Sequence, residues 1–217
     1  MRGVTTQVRA TRIRTFKQPR AERTYAAILE AAARVFPRLG YDGTQTPDIA
    51  KEAGVSTGAV YRYFEDKRQI FLEMAEVELA KIRAEVEVRL GALAVTGSAA
   101  DPSVAVGHLI DTLFAQIKKD SPLARVFSAL ALTDPDVAAL KARTDAADRA
   151  AVAFIIAASV PRSIVANPAA TAVIVHAAAV GTATELALRH KKAPGPSESE
   201  VKEALRELLV GFFFGRR

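Results

Sequence analysis

The 217-residue chain contains no cysteine, no tryptophan, and only two methionines and three histidines. Without cysteine there are no disulfides and no thiolate metal ligands, a usage that fits a reducing cytoplasm. His108, His176 and His190 lie too far apart for ligand spacing, so neither a metal nor another cofactor is expected. A His-Glu-x-x-His pair, a phosphate-binding glycine loop and a carboxylate–histidine cluster are missing, and an enzyme is not expected. Apolar–polar alternation, the mark of strands, is absent, as is any internal repeat. The N-terminal stretch is polar and basic, with no apolar core of signal-peptide length. The most apolar stretches, 150–160 and 169–188, are broken by Pro161-Arg162 and Asn167-Pro168. They also rely on alanine, a weak contributor to membrane insertion, so they are expected to be buried helices and not membrane spans.

Half of the residues are hydrophobic and alanine is abundant, which favours an all-α fold of one or two domains. The net charge of +6 is unevenly placed: residues 1–68 hold 13 Lys and Arg against 7 Asp and Glu, whereas residues 69–217 hold 17 of each. Such asymmetry is the footprint of a polyanion-binding unit joined to a neutral one. Residues 1–20 carry six basic side chains, no acid and no apolar periodicity, and are expected to be a disordered basic arm, either unused or tracking phosphates.

The informative stretch is Ile49–Phe64, IAKEAGVSTGAVYRYF. A first helix is expected from about Pro47 to Ala53, with Thr46 as its cap and Pro47 at its first position. Gly54 supplies a left-handed turn, Val55 pins it, and Ser56 caps a second helix. In that helix Val60 and Phe64 face inward, while Thr57, Gly58, Tyr61 and Arg62 face outward. Small residues at its start permit close approach to a duplex, and the tyrosines, Arg62 and Lys67 supply donors for phosphates and bases. An Ala-Gly-Val-Ser corner, then Tyr-x-Tyr-Phe, then Asp66-Lys67, resembles the DNA-binding domain of the TetR (tetracycline-repressor-like) family of bacterial transcription regulators. The resemblance runs from about Thr24 to Met74. It implies DNA contacts from Thr44, Gln45, Thr46, Ser56, Thr57, Gly58, Ala59, Tyr61, Arg62, Tyr63 and Lys67, with Thr44 and Lys67 on the phosphate backbone. Gln45-Thr46-Pro47 departs from the family pattern and could move the helix start by one residue.

The chain divides on this reading into the arm at 1–20, a helix-turn-helix domain at 21–68 and a helical domain at 69–217. Ile28, Ala32, Val35, Phe36 and Leu39 make the buried stripe of a helix over 21–39, with Pro37 expected to disturb its last turn and 40–43 a turn. A long helix from Asp66 to about Leu90 joins the domains, and 91–103 is a loop. Further helices are expected at 102–119, 122–131, 135–159, 168–190 and 197–213, about nine in all, most of them starting on an Asp, Ser or Asn before a proline. Val173, Ile174, Ala177, Ala178, Gly181 and Leu188, with Leu205, Leu208, Leu209, Phe212 and Phe213, form apolar surfaces suited to a homodimer, as the family's dimers imply. The resemblance further implies operator double-stranded DNA as partner and a small apolar or amphipathic effector. His108, Phe114, Gln116, Arg125, Phe127, Arg149, His176 and Glu185 are the candidates to meet it. Phe154 is expected in the core. The alternative is a DNA-binding protein whose second domain serves only dimerisation or a protein partner.

Overall fold

The computed structural model describes residues 18–95, 102–189 and 194–215. Most of the basic arm and the 96–101 part of the expected loop lie outside these. The fold is all-α, and no strand occurs among the described residues. The helices are α1 (Pro19–Gly43), α2 (Thr46–Glu52), α3 (Thr57–Tyr61), α4 (Lys67–Val95), α5 (Pro102–Ala131), α6 (Pro135–Ser159), α7 (Pro168–Leu188) and α8 (Glu198–Phe214). Helix starts follow the sequence signals. Asp134 Oδ1 accepts from the Asp136 and Val137 N–H groups, Asn167 Oδ1 from Ala170, and Ser197 Oγ from Glu200. Each side chain satisfies a donor that the first helical turn leaves without a partner.

Four sequence expectations are corrected. Pro37 lies inside α1 without ending it; the break falls at Gly40, whose φ of 74° only glycine adopts without strain. Residues 41–43 are helical beyond that kink, and Leu39 is exposed rather than part of the buried stripe. Residues 102–131 form one helix running through Pro122, because a proline removes a single intrahelical bond and packing can carry that cost.

The chain forms two compact units, and neither follows a single cut in the sequence. The first holds the described residues up to Leu79 together with Arg125–Lys141; the second holds Ala80–Ala124 and the described residues from Ala142. In the first unit Ile28, Ala32, Val35 and Phe36 of α1 pack with Ile49, Val60, Phe64, Ile70 and Phe71, all buried. Val137 and Leu140, from the start of α6, are buried in the same unit. The core of the second unit is Ile110, Phe114, Ile156, Val160, Val165, Ala172, Leu205, Leu209 and Phe213.

Arg68 of α4 fastens the 125–141 segment. Its Nε and Nη2 donate to the two carboxylate oxygens of Asp134 at 2.5 and 2.7 Å, and Nη2 also donates to Asp136 at 2.6 Å. A planar guanidinium matches a carboxylate in this two-pronged way, which a lysine cannot. The Arg68 hydrogen bond holds the Asp134 carboxyl below its ordinary value, against the effect of burial. A carboxyl depressed on folding adds stability above its unfolded value and loses it as pH falls through its folded value. Asp134→Asn is therefore expected to lower the urea midpoint at neutral pH, and the gap to wild type should close below about pH 4. A gap that stays constant with pH would assign the loss to packing alone.

Candidate nucleic-acid interface

The geometry of the corner between α2 and α3 follows from local chemistry. Backbone N–H groups of Ala53, Gly54 and Val55 donate to Ile49, Lys51 and Ala50 carbonyls at 2.9, 3.2 and 3.0 Å, closing α2. Gly54 takes φ 68°, the left-handed conformation that ends a helix cheaply only for glycine. Ser56 Oγ then accepts from the Ala59 N–H at 3.1 Å and starts α3. The string Gly54-Val55-Ser56-Thr57-Gly58 has the Gly-x-Ser-x-Gly letters of an esterase nucleophile. That motif needs a strand before the serine; here a helix turn precedes it and the Ser56 hydroxyl is a helix cap.

Val60 and Phe64 are buried, as the inward face of α3 requires, and Tyr25 stacks on Phe64 with ring centres 5.2 Å apart. Tyr61 is 55% exposed, and Gly58 and Arg62 are exposed beside it. Thr57 and Tyr63 are half-buried, Tyr63 lying 6.4 Å from the Tyr25 ring. Ala59 is buried and serves packing.

The other end of the expected interface differs. The cap of α2 is Gln45, one residue before the expected Thr46, and its N–H donates to Asp48 Oδ2 at 2.9 Å. That shift turns Thr46 inward, where it is 7% exposed. Thr44 is fully buried and its hydroxyl donates to the Gly40 carbonyl at 2.6 Å. Neither threonine presents a side chain to solvent; Gln45 does. Lys67 Nζ is likewise engaged, donating to the Tyr41, Asp42 and Thr44 carbonyls. Sequence reasoning also missed Glu73, buried on α4, which accepts from the Tyr25 hydroxyl and, at 2.9 Å, from Gln69 Nε2. No local pattern announces the Tyr25–Glu73 pair, whose members lie 48 residues apart. Outside, Glu52 meets Arg34 at 2.8 Å and Arg38 at 3.6 Å, and the Arg34 hydrogen bond leads in holding its carboxyl low.

The candidate effector residues do not gather in one unit. Phe127 stacks on Phe71 in the first unit, at 6.4 Å, and Arg125 is an exposed residue of the same unit. Phe114 belongs to the second core. Glu185 is exposed and pairs with Arg189 at 3.0 Å. Phe154, expected in the core, is 75% exposed on α6. The side chains of His108 and Gln116 lie outside the described residues. Arg149 and His176 are half-buried in the second unit. Nearby, burial pushes the Asp148 carboxyl above its ordinary value, while Arg83, at 3.9 Å, and His176 act against the shift.

Fold and site define a helical protein with a helix-turn-helix head. Residues 28–74 match the family model for bacterial regulatory proteins of the tetR family, so the head is of that family's type. Over 62 residues it is 40% identical to the HTH-type transcriptional regulator AcrR of Shigella flexneri. That match covers 29% of this chain and 29% of the regulator, so it speaks for the head alone. A TetR-family transcriptional regulator from Mesorhizobium loti superposes with a TM-score of 0.71 at 21% identity, covering 90% of this chain and 97% of the other. The FadR regulator of Bacillus subtilis in complex with stearoyl-CoA superposes at 0.59 with 17% identity, covering 89% and 100% of the two chains. At these identities the likeness carries the fold and nothing more.

Gly54→Ala should cost about 1–2 kcal/mol of stability, the penalty of a β-carbon in left-handed backbone. Nothing lies within 4 Å of the added carbon, so no clash contributes. Thermal unfolding with an unchanged midpoint would show that the turn relaxes instead.

Proposed function

We propose that the chain is a ligand-responsive transcriptional regulator. On this reading it is a repressor that binds palindromic operator DNA as a homodimer and is released by a small apolar or amphipathic effector. The observation that carries the DNA half is the exposure of Gly58, Tyr61 and Arg62 on the outer face of α3, whose inner face is locked by Val60 and Phe64. The charge supports it, since the whole basic excess lies in residues 1–68. Gln45, Thr57 and Tyr63 complete the proposed contacts. A protein that acts on DNA in a bacterium works in the cytoplasm.

The dimer half rests on α7 and α8. Of the apolar stretch Pro168–Ala187, with mean hydropathy 1.4, only 11% is buried within the chain. Its expected burial is met on one face, where Ala172, Ala179 and Ala183 join the second core, and not on the other. Val173 and Ile174 on α7, and Leu208 and Phe212 on α8, are exposed. A Cβ added at Gly181 would meet nothing, so that spot is open to a close helix approach. A second copy covering this face is the reading we prefer, since a single helix-turn-helix reads only a short half-site and dimers reading palindromes solve that limit. The effector half is supported by Phe114, Arg149 and His176 in the second unit, where apolar wall and half-buried polar groups coexist. Effector would act by favouring one of two states of the protein, with a coupling of about 1–3 kcal/mol.

The test is binding to a duplex from the DNA flanking the coding region, across a salt series. Specific binding that weakens with salt is expected, and Arg62→Ala should cost about 1–3 kcal/mol of it. Equal binding to random DNA at every salt concentration would sink the operator reading. Ile174→Glu with Leu208→Glu should convert a dimer to a folded monomer by light scattering and remove the preference for the palindrome. A wild-type chain that is monomeric at assay concentration would exclude the dimer.

A further inference from the structure

We infer that Tyr25 is a positioning residue for DNA recognition, and that Glu73 of α4 aims it. The inference rests on the DNA-binding reading and adds to it two residues outside the expected contact set. α3 is only five residues long. Isolated helices shorter than about 12–15 residues are marginal in water, so its direction comes from what it packs against. Ala59 and Val60 on its inner face are buried, but apolar contact is non-directional and fixes closeness more than angle. The angle is set where α3 ends. The N–H groups of Tyr63 and Phe64 donate to the Val60 carbonyl at 2.9 and 3.0 Å, so these two residues turn with the helix. Tyr25 of α1 stacks on Phe64 at 5.2 Å, with the ring planes 13° apart, and lies tilted against Tyr63 at 6.4 Å. One ring therefore backs both residues that close α3, and Tyr63 is a proposed DNA contact.

The far end of that ring is held in turn. The Tyr25 hydroxyl donates to Glu73 Oε2. Glu73 Oε1 accepts from Gln69 Nε2 at 2.9 Å, and Gln69 Oε1 accepts from the Glu65 N–H at 2.7 Å. Glu65 directly follows Phe64, so the relay closes on itself. It leaves the end of α3, passes through two side chains of α4 and the Tyr25 ring, and returns to Phe64. All of its members lie in the first unit. Hydrogen bonds weaken steeply away from their preferred angle, so each link carries a direction as well as a distance. Replacing a buried hydrogen-bonded pair by apolar groups of the same shape is nearly neutral for stability. What the Tyr25–Glu73 pair contributes beyond an apolar one is therefore the aim of the ring, and through it the aim of Tyr63 and α3.

The experiment uses the full chain and the duplex that the wild type selects from a randomised pool. Affinity for that duplex and for random duplex is measured across a salt series, with thermal midpoints in parallel. A wild type that selects no duplex defeats the DNA-binding reading, and this inference with it, before any variant is made. Given a selected duplex, Tyr25→Phe keeps the ring and removes only the hydroxyl. Glu73→Gln replaces one acceptor oxygen by an NH2 donor, so one of its two bonds is lost. We expect each variant, folded at the assay temperature, to bind the selected duplex about tenfold more weakly, the order of a lost bond to a charged group. Random duplex should be bound as before, with an unchanged salt slope, because no phosphate contact is removed. The double variant should bind no more weakly than the weaker single one, since both changes act through one bond. Losses that multiply overturn the relay. A fall shared equally by random duplex also overturns it, since Tyr25 would then touch the DNA itself. So does a lowered midpoint with full affinity, which would leave the pair a stabilising role alone. Should Glu73→Gln fail to fold, Tyr25→Phe decides, through the ratio of its two affinities set beside its midpoint.

Discussion

Phe71 is fully buried near the start of α4, and three parts of the chain meet on its ring. Phe36 of α1 lies edge-on at 5.0 Å, Tyr41 beyond the Gly40 kink edge-on at 5.5 Å, and Phe127 of α5 stacked at 6.4 Å. Edge-to-face rings gain from their quadrupoles as well as from burial. The kink at Gly40 gains a purpose here, because it lets Tyr41 lie parallel to Phe36 at 5.8 Å while both present themselves to Phe71. The same ring explains why residues from Arg125 onward belong with the head: Phe127 has its aromatic partner there and not among the residues of the second core.

Around that apolar centre, the polar side chains at the start of α4 are each spent on a different partner. Lys67 holds the end of α1, Arg68 the start of α6, and Gln69 with Glu73 the Tyr25 hydroxyl. A buried carboxylate such as Glu73 is costly unless it is hydrogen-bonded, and both of its oxygens accept a bond. Among the described residues no buried side-chain nitrogen or oxygen lacks a partner. The first two turns of α4 therefore do for the head what a single apolar stripe cannot. They fix directions and register as well as contact.

Elements whose signals are local were legible in the sequence. Asn167-Pro168, Asp134-Pro135 and Ser197 with Glu200 mark helix starts within a residue or two, because a cap acts on donors only a few positions away. The corner at Gly54 and Ser56 was legible for the same reason. Thr44 and Thr46 show the limit. With α2 starting at Thr46, that residue sits three and four positions before the buried Ile49 and Ala50, on their face, and so turns to the core. Pro122 shows another: a breaker signal is a local cost, and packing elsewhere can exceed it. The hydrogen bonds of Lys67 were illegible because its partners lie 23 to 26 residues away.

Composition alone could not assign α7. An alanine-rich helix of mean hydropathy 1.4 suits a protein core, a bilayer or an interface between copies. The chain's own packing answers for one face only: Ala172, Ala179 and Ala183 lie in the second core, while Val173, Ile174, Ala177 and Gly181 stay exposed. The bilayer fits poorly: α7 carries His176 half-buried and Thr182, and ends in Glu185 paired with Arg189. Small residues give the remaining reading its physical content. Ala177 and Gly181 on the exposed side let another helix approach closely, while Val173 and Ile174 supply the area to hold it there. An exposed apolar face of this kind is costly in water, and the proposed second copy would cover it.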